Sequence, residues 1–528
     1  MRGQLNSFNF FLLFAALLLS AGCTSSRESS SRRSSTHGIP EVLNAKGVLK
    51  IDVVYPEDGA TRPSVDSNFI FGSVGSGSAS LWINGFAVPV EKNGAFLTFL
   101  PMPRYGYAVV AKDSALVDSA FVSFGAKEGG SQSDAGSIGV RRRPTAIVPL
   151  HHPTLATIIT GRDTLETGSD VTPASAEPGA DRKWQWPRGT RILVTDKSGT
   201  EYRVALSKSE DAWVADSSVR LDDQSEREIA IPHPRIQPEP AYEDVIIGAQ
   251  WGAFLIEAEP DQLVVTLYHR SLEQEGKPIH PDALVAGIST RANATNVIST
   301  IRLTSSLWGY KAFFTSKGEL VVRIRRAPHL EPDEPLRGLR VMIDPGHPPG
   351  GAIGPTRLTE MEANLAIGLR VRDKLLARGA IVEMTRTTNS GMKSSTVQST
   401  ELWARVDSAV RGDAYLLVSI HNNGFPDGVN PFANYGTSTY YFDDFSESLA
   451  ASLEREIQLI TEIPNQGAHK RSLAMVRPTW MPSVLTESLY MMFPEQEAAL
   501  RDPTFLDRLA EAHVRGIEEF LRSKISGP

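Results

Sequence analysis

Two apolar, β-branched runs in the last third of the chain each stop at a histidine. One reads VMIDPGH and ends at His347. The other reads AYLLVSIHNN and carries His421. Such a run is what a buried strand of a parallel sheet looks like, and it delivers its terminal imidazole to the sheet edge. Helical patterns separate these runs, so the region predicts an α/β domain. A catalytic zinc takes three protein ligands, drawn from His, Cys and carboxylate, and keeps one position open. His347 and His421, with Glu360 between them in sequence, could supply two imidazoles and a carboxylate. Taken singly, a strand-end histidine is more often a structural group, so the pair needs further residues around it.

The chain has 528 residues, too many for one core, and three or four domains are expected. Apolar residues make up 41% and charged residues 22%, as in ordinary globular proteins. The net charge of -7 argues against a nucleic-acid partner, which would want a basic face. Cys23 is the one cysteine, so no intramolecular disulfide can form. Its setting is informative. Arg2 supplies positive charge, and Phe10 to Leu19 is an apolar run of secretory length. Ser20, Ala21, Gly22 and Cys23 then resemble a bacterial lipoprotein signal, with Ser20 standing where Leu is usual. Residues 1–23 are therefore read as a signal with Cys23 lipidated. The Ser/Arg-rich residues that follow, 24–46, read as a flexible tether. The expected location is the cell envelope, anchored to a membrane through the N-terminal lipid and facing the periplasm. The alternative is a secreted soluble protein with an ordinary cleaved signal.

Residues 47–125 alternate as strands do, with Asn-Gly turns at Asn84-Gly85 and Asn93-Gly94. They predict an Ig-like β-sandwich. Residues 126–182, rich in Gly, Ser, Ala and Pro, predict mostly linker. Residues 183–235 predict an SH3-like β-domain. Residues 240–327 hold an internal echo: Trp251-Gly252 precedes Leu263-Val264-Val265, and Trp308-Gly309 precedes Leu320-Val321-Val322 at the same offset. Each unit predicts a hairpin, and the pair resembles AMIN-type β-domains. Its tryptophans are expected in the core.

After a Pro-rich linker at Pro328 to Pro335, residues 336–525 alternate strand and helix patterns. Helices are predicted over Asn364 to Arg378, Ser446 to Thr461 and Pro503 to Ser523. Strands are predicted at LRVMID, AIVEMTR, AYLLVSI, TSTYYF, SLAMVR and SVLTESL. The last carries Glu487, a carboxylate that would be costly inside an apolar strand unless paired, protonated or near a metal.

With Glu487 in place the pattern becomes specific. IDPGHPPGG, LTEMEANL, MTRTTN, SIHNN and PSVLTE resemble, in order, the motifs of the zinc-dependent N-acetylmuramoyl-L-alanine amidases of the amidase-3 family. The resemblance covers about the last third of the chain. It implies a C-terminal α/β zinc amidase domain behind N-terminal β-rich domains. It implies that His347, Glu360 and His421 hold one zinc, and that Glu487 moves the proton from water to the leaving amine. It implies peptidoglycan as substrate, cut between N-acetylmuramic acid and L-alanine. Asp344 is expected to orient the His347 loop or simply to form its turn. Three departures from the family pattern stand out: two prolines follow His347, Met361 replaces a lysine, and Ser488 follows Glu487. The competing readings are an envelope lipoprotein that binds peptidoglycan or regulates, and a zinc carboxypeptidase. A protein activator is left open.

Overall fold

The computed structural model describes residues 38–125, 146–168, 171–222, 229–273, 284–293, 295–393 and 398–525. Cys23 and the signal lie outside the described residues, as does most of the expected tether; its last residues, 38–46, are bonded into the fold instead, with the Gly38 N–H donating to the Ile460 carbonyl at 3.0 Å and the Ala45 N–H to the Lys92 carbonyl at 2.8 Å. Among the described residues, no helix is long and apolar enough to cross a membrane.

The N-terminal part is built from strands. Asp52–Tyr55, Ser67–Ser73 and Ala95–Pro101 form one sheet, and the strands from Ser80 to Gly125 form most of a second. Alternation along Ser80–Ile83 sends Leu81 and Ile83 inward, where they meet Ile70, Phe96, Tyr107 and Val109. Asn84 has a φ of 48° and Gly85 one of 83°, the left-handed pair that a tight hairpin turn requires.

The next segment departs from expectation. Residues 126–182 were expected to be mostly linker, yet Val148–Ile158 is an eleven-residue strand inside a seven-stranded sheet. It pairs with Arg191–Ser198 on one side and Val219–Leu221 on the other. Leu155, Ala156 and Ile158 are buried there, so a short apolar stretch among polar residues is enough to hold a central strand. The expected SH3-like and AMIN-like units also share one core. Trp184 and Trp186 pack with Phe254, Leu267 and Tyr268. The buried indoles explain the merger, because each N–H needs an acceptor. Trp186 Nε1 donates to the Phe254 carbonyl at 2.8 Å, and Trp184 Nε1 to Tyr268 Oη at 3.1 Å.

Both echo units are hairpins: Phe254–Ala258 with Gln262–Tyr268, and Tyr310–Phe314 with Leu320–Arg325. They lie in different sheets. Trp308 is buried against Tyr415 and Phe520 of the C-terminal domain, and its Nε1 donates to the Tyr415 carbonyl at 3.0 Å.

The C-terminal domain has a six-stranded sheet. Its order is Ile381–Met384, Arg340–Pro345, Leu416–Asn423, Ser483–Tyr490, Thr437–Tyr441, Asn465–Lys470. The first four strands are parallel, and Thr437–Tyr441 runs antiparallel to Ser483–Tyr490. Period-two alternation buries both faces. Val341, Ile343, Val418, Ile420 and Val484 meet the helices Glu360–Ala377, Glu447–Thr461 and Pro503–Ile525. Met342, Leu417 and Leu485 meet the helix Gln398–Arg411 and Trp480.

Details differ from the sequence reading, the unexpected helix Gln398–Arg411 among them. SLAMVR is not a strand; Ala474–Val476 is a 3₁₀ turn with Met475 and Val476 buried. The sheet edge is taken instead by Asn465–Lys470, a mostly exposed polar strand. The first helix starts at Glu360, earlier than Asn364. Thr359 and Glu362 form a reciprocal capping box that fixes the start.

Candidate metal and catalytic site

The carboxyl ends of parallel strands are where an open α/β sheet gathers its chemistry. Here the Arg340–Pro345 strand ends just before His347. His421 sits near the end of its strand, and Glu487 lies directly opposite it on the next strand. Glu360 is the first residue of its helix. The capping box fixes where that helix starts, and so puts this carboxylate at the N-terminal end, where the helix dipole favours negative charge.

These placements bring three donors together. His347 Nε2 lies 3.1 Å from Glu360 Oε2, and His421 Nδ1 lies 3.0 Å from Glu360 Oε1. The ligand atoms of all three lie within 4.8 Å of one another, and no other such trio exists among the described residues. The two imidazole rings stand 5.0 Å apart at 77°. Gly346 is required by this contact, because a Cβ there would fall 2.2 Å from the His421 ring.

Surrounding groups hold the three in place. Glu360 accepts from the Ala352 N–H at 2.9 Å and from Asn364 Nδ2 at 3.2 Å. Asn364 accepts in turn from Asn422 Nδ2 at 2.8 Å. Burial pushes the Glu360 carboxyl up, but its hydrogen bonds to His347 and His421 outweigh that and hold it well below the usual range. For His347 burial works downward, and the Glu360 carboxylate outweighs it, so the imidazole is raised. Two neutral-capable imidazoles and one ionised carboxylate form a donor set suited to zinc. Their outer hydrogen bonds are of the kind that orient metal ligands.

Glu487 has a different setting. Its Oε2 is buried and without a hydrogen-bond partner. Burial raises this carboxyl well above its ordinary value, and the nearby Glu360 charge adds to the shift. An unpartnered buried carboxylate oxygen beside three ligating groups fits a cation and a water nearby better than it fits a closed core.

Beneath the site lies a buried ionic knot. Asp344 accepts from Thr385 Oγ1 at 2.5 Å, Ser419 Oγ at 2.6 Å and Arg405 Nη1 at 2.9 Å. Burial alone would raise this carboxyl, but Arg405 and the two hydroxyls hold it below its usual range. Arg386 donates to the carbonyls of Pro345, Gly346 and Met361. It thereby ties the His347 loop to the start of the Glu360 helix. The Met361 departure leaves this link intact, because the contact is to its backbone.

Residues 341–519 match the family model described as N-acetylmuramoyl-L-alanine amidase. The C-terminal domain is an N-acetylmuramoyl-L-alanine amidase domain. Among curated relatives, the Staphylococcus epidermidis protein named "Probable cell wall amidase LytH" is 31% identical over 195 residues, which is 36% of this chain and 60% of that one. The chain thus spans about three-fifths of the length of that relative. The germination-specific N-acetylmuramoyl-L-alanine amidase of Bacillus subtilis is 28% identical over 205 residues, 37% of this chain and 84% of that one. A solved N-acetylmuramoyl-L-alanine amidase of Nostoc punctiforme is 33% identical and aligns with 35% of this chain and 97% of its own, at a TM-score of 0.30.

Within the amidase domain, the sequence reading named His347, Glu360, His421 and Glu487, and the structure gathers all four at one end of the sheet. Asp344 lies below them in the ionic knot. His469 is exposed on the edge strand, away from the trio's hydrogen bonds. Arg405 was missed. Its signal was a basic residue at the centre of an otherwise plausible helix, four residues after Glu401.

Proposed function

We propose that this chain is a zinc-dependent peptidoglycan hydrolase that cuts the amide between the lactyl group of N-acetylmuramic acid and L-alanine. The observation that carries the reading is the His347, Glu360 and His421 cluster with Glu487 opposite His421. His347, Glu360 and His421 would hold a zinc ion, which would supply Lewis acidity for the scissile carbonyl and the water. The chain's own residues do the rest. Glu487 takes a proton from the attacking water and returns it to the alanine nitrogen as the C–N bond breaks. Glu360, fixed by Ala352, Asn364 and the histidines, keeps the ligand geometry from collapsing.

The remaining features fit an envelope enzyme. Cys23 as a lipidated terminus and residues 24–37 as a tether would hold the amidase domain at a membrane facing the periplasm. The Ig-like, SH3-like and AMIN-like descriptions of the upstream β-structure belong to the same reading, as modules that present the enzyme to the wall. Purified chain should hold about one zinc per molecule and release stem peptides from isolated cell walls. Zinc binding without wall hydrolysis would favour the binding-module reading instead.

A further inference from the structure

The two prolines after His347 are a departure from the family motif, and the structure gives them a task. His347 has a φ of 61°, the left-handed region that a residue with a Cβ rarely adopts. Such a conformation persists only where neighbours over-determine it. Three contacts do so. Arg405 is 1% exposed, and its Nη2 donates to the carbonyls of both His347 and Pro348 at 2.9 Å. Its other N–H groups reach Asp344, Pro345 and Glu401, so the guanidinium is anchored on every side. The Pro349 carbonyl lies 2.9 Å from His347 Nδ1. The ring also lies over Gly351, where a Cβ would fall 3.0 Å from His347 Cγ.

We propose that Arg405 and the Pro348-Pro349 turn are a positioning device that presets His347 for metal. A carbonyl can only accept, so the Pro349 oxygen takes the hydrogen of Nδ1, and Nε2 is the ring nitrogen turned toward Glu360. Arg405 holds the backbone that aims the ring. Neither group touches substrate; both act through His347. The prolines matter because they restrict the turn that offers the Pro349 carbonyl, which glycines at the same positions would leave mobile. This inference rests on the zinc reading above.

The test uses the full chain, stripped of metal and titrated with zinc against a chromogenic chelator. Imidazole nitrogen NMR of the zinc-loaded protein reports which His347 nitrogen meets the metal, with His347→Ala to assign the signal. Two variants are compared with the parent: Arg405→Lys, and Pro348→Gly with Pro349→Gly together. The double variant keeps both carbonyls and alters only a part-exposed turn, so it carries the test if Arg405→Lys fails to fold. Zinc affinity should fall roughly 10- to 100-fold, and the zinc-loaded His347 signal should change from ligation through Nε2 alone to a mixture of the two nitrogens. Saturating zinc should restore most hydrolysis in the double variant. Parent-like affinity and unchanged ligation through Nε2 in a folded variant would overturn the inference. Failure of the parent itself to bind zinc would overturn the zinc reading instead, which separates the two.

Discussion

The Glu487 carboxyl lies on the strand beside His421, with one oxygen buried and unbonded. Its raised proton affinity comes first from burial and then from the Glu360 charge. A cation held by the trio would offset both, since a bound ion is the largest local charge in such a site. Glu487→Gln keeps the shape and removes the base. Hydrolysis should drop by roughly 10²- to 10⁴-fold, while zinc content stays at the parent level. Hydrolysis within a few-fold of the parent would remove Glu487 from the mechanism. At this scale the site was legible, because strand-end histidines and a strand carboxylate stand out against apolar neighbours. Arg405 was not. Its whole guanidinium is spent on buried acceptors, so it reads in sequence as one more polar residue of a helix. The helix Gln398–Arg411 escaped for the same reason, since Glu401 and Arg405 lie on its buried side.

The Ser483–Tyr490 strand is backed by the helix Pro503–Ile525, and a histidine joins the two. His513 Nδ1 donates to the Leu509 carbonyl at 2.8 Å, and its Nε2 accepts from Thr486 Oγ1 at 3.1 Å. Burial lowers this imidazole to about 4. The folded protein therefore keeps His513 neutral, while the unfolded chain takes up a proton below about 6.5. Its contribution is fully present above 6.5, is lost as pH falls from 6.5 toward 4, and changes little below that. The loss amounts to at most about 3 kcal/mol. Denaturant midpoints of the parent should fall over that window, and His513→Gln should show a shallower fall. Equal slopes would show that His513 is not neutral in the fold. Among elements, the helix at Glu447–Thr461 and the core strands were legible because period and burial agree. The edge strand Asn465–Lys470 was not, since an exposed edge needs no apolar alternation. Ala474–Val476 misled in the opposite sense: its apolar side chains are buried by a turn, without strand pairing.

At the scale of the molecule, the first β-sandwich is packed onto the amidase domain. Val54, Phe69, Phe71 and Leu97 form one cluster with Tyr490, Met492 and Phe493. Tyr490 stacks on Phe425 at 4.4 Å, and these two residues follow Glu487 and His421 closely in sequence. Polar contacts frame the cluster. Asn68 donates to Asp427 at 2.8 Å and accepts from the Gly428 N–H at 3.0 Å, and Arg357 makes a two-pronged bond to Asp52. Sequence patterns show the strands that meet here but carry no sign of the docking, because interface and core residues are equally apolar. Sandwich and amidase should therefore unfold together. Phe71→Ala should cost about 3–5 kcal/mol and lower the calorimetric transition of both. Two separate transitions, with only the first affected, would contradict the coupling. The central claim concerns one bond, and mass spectrometry of peptidoglycan fragments tests it directly. Digestion with zinc-loaded protein should yield intact stem peptides with a free L-alanine amine and glycan chains with free lactyl carboxylates, and metal-stripped protein should yield neither. Release of D-alanine, or cleavage that persists without metal, would contradict the account.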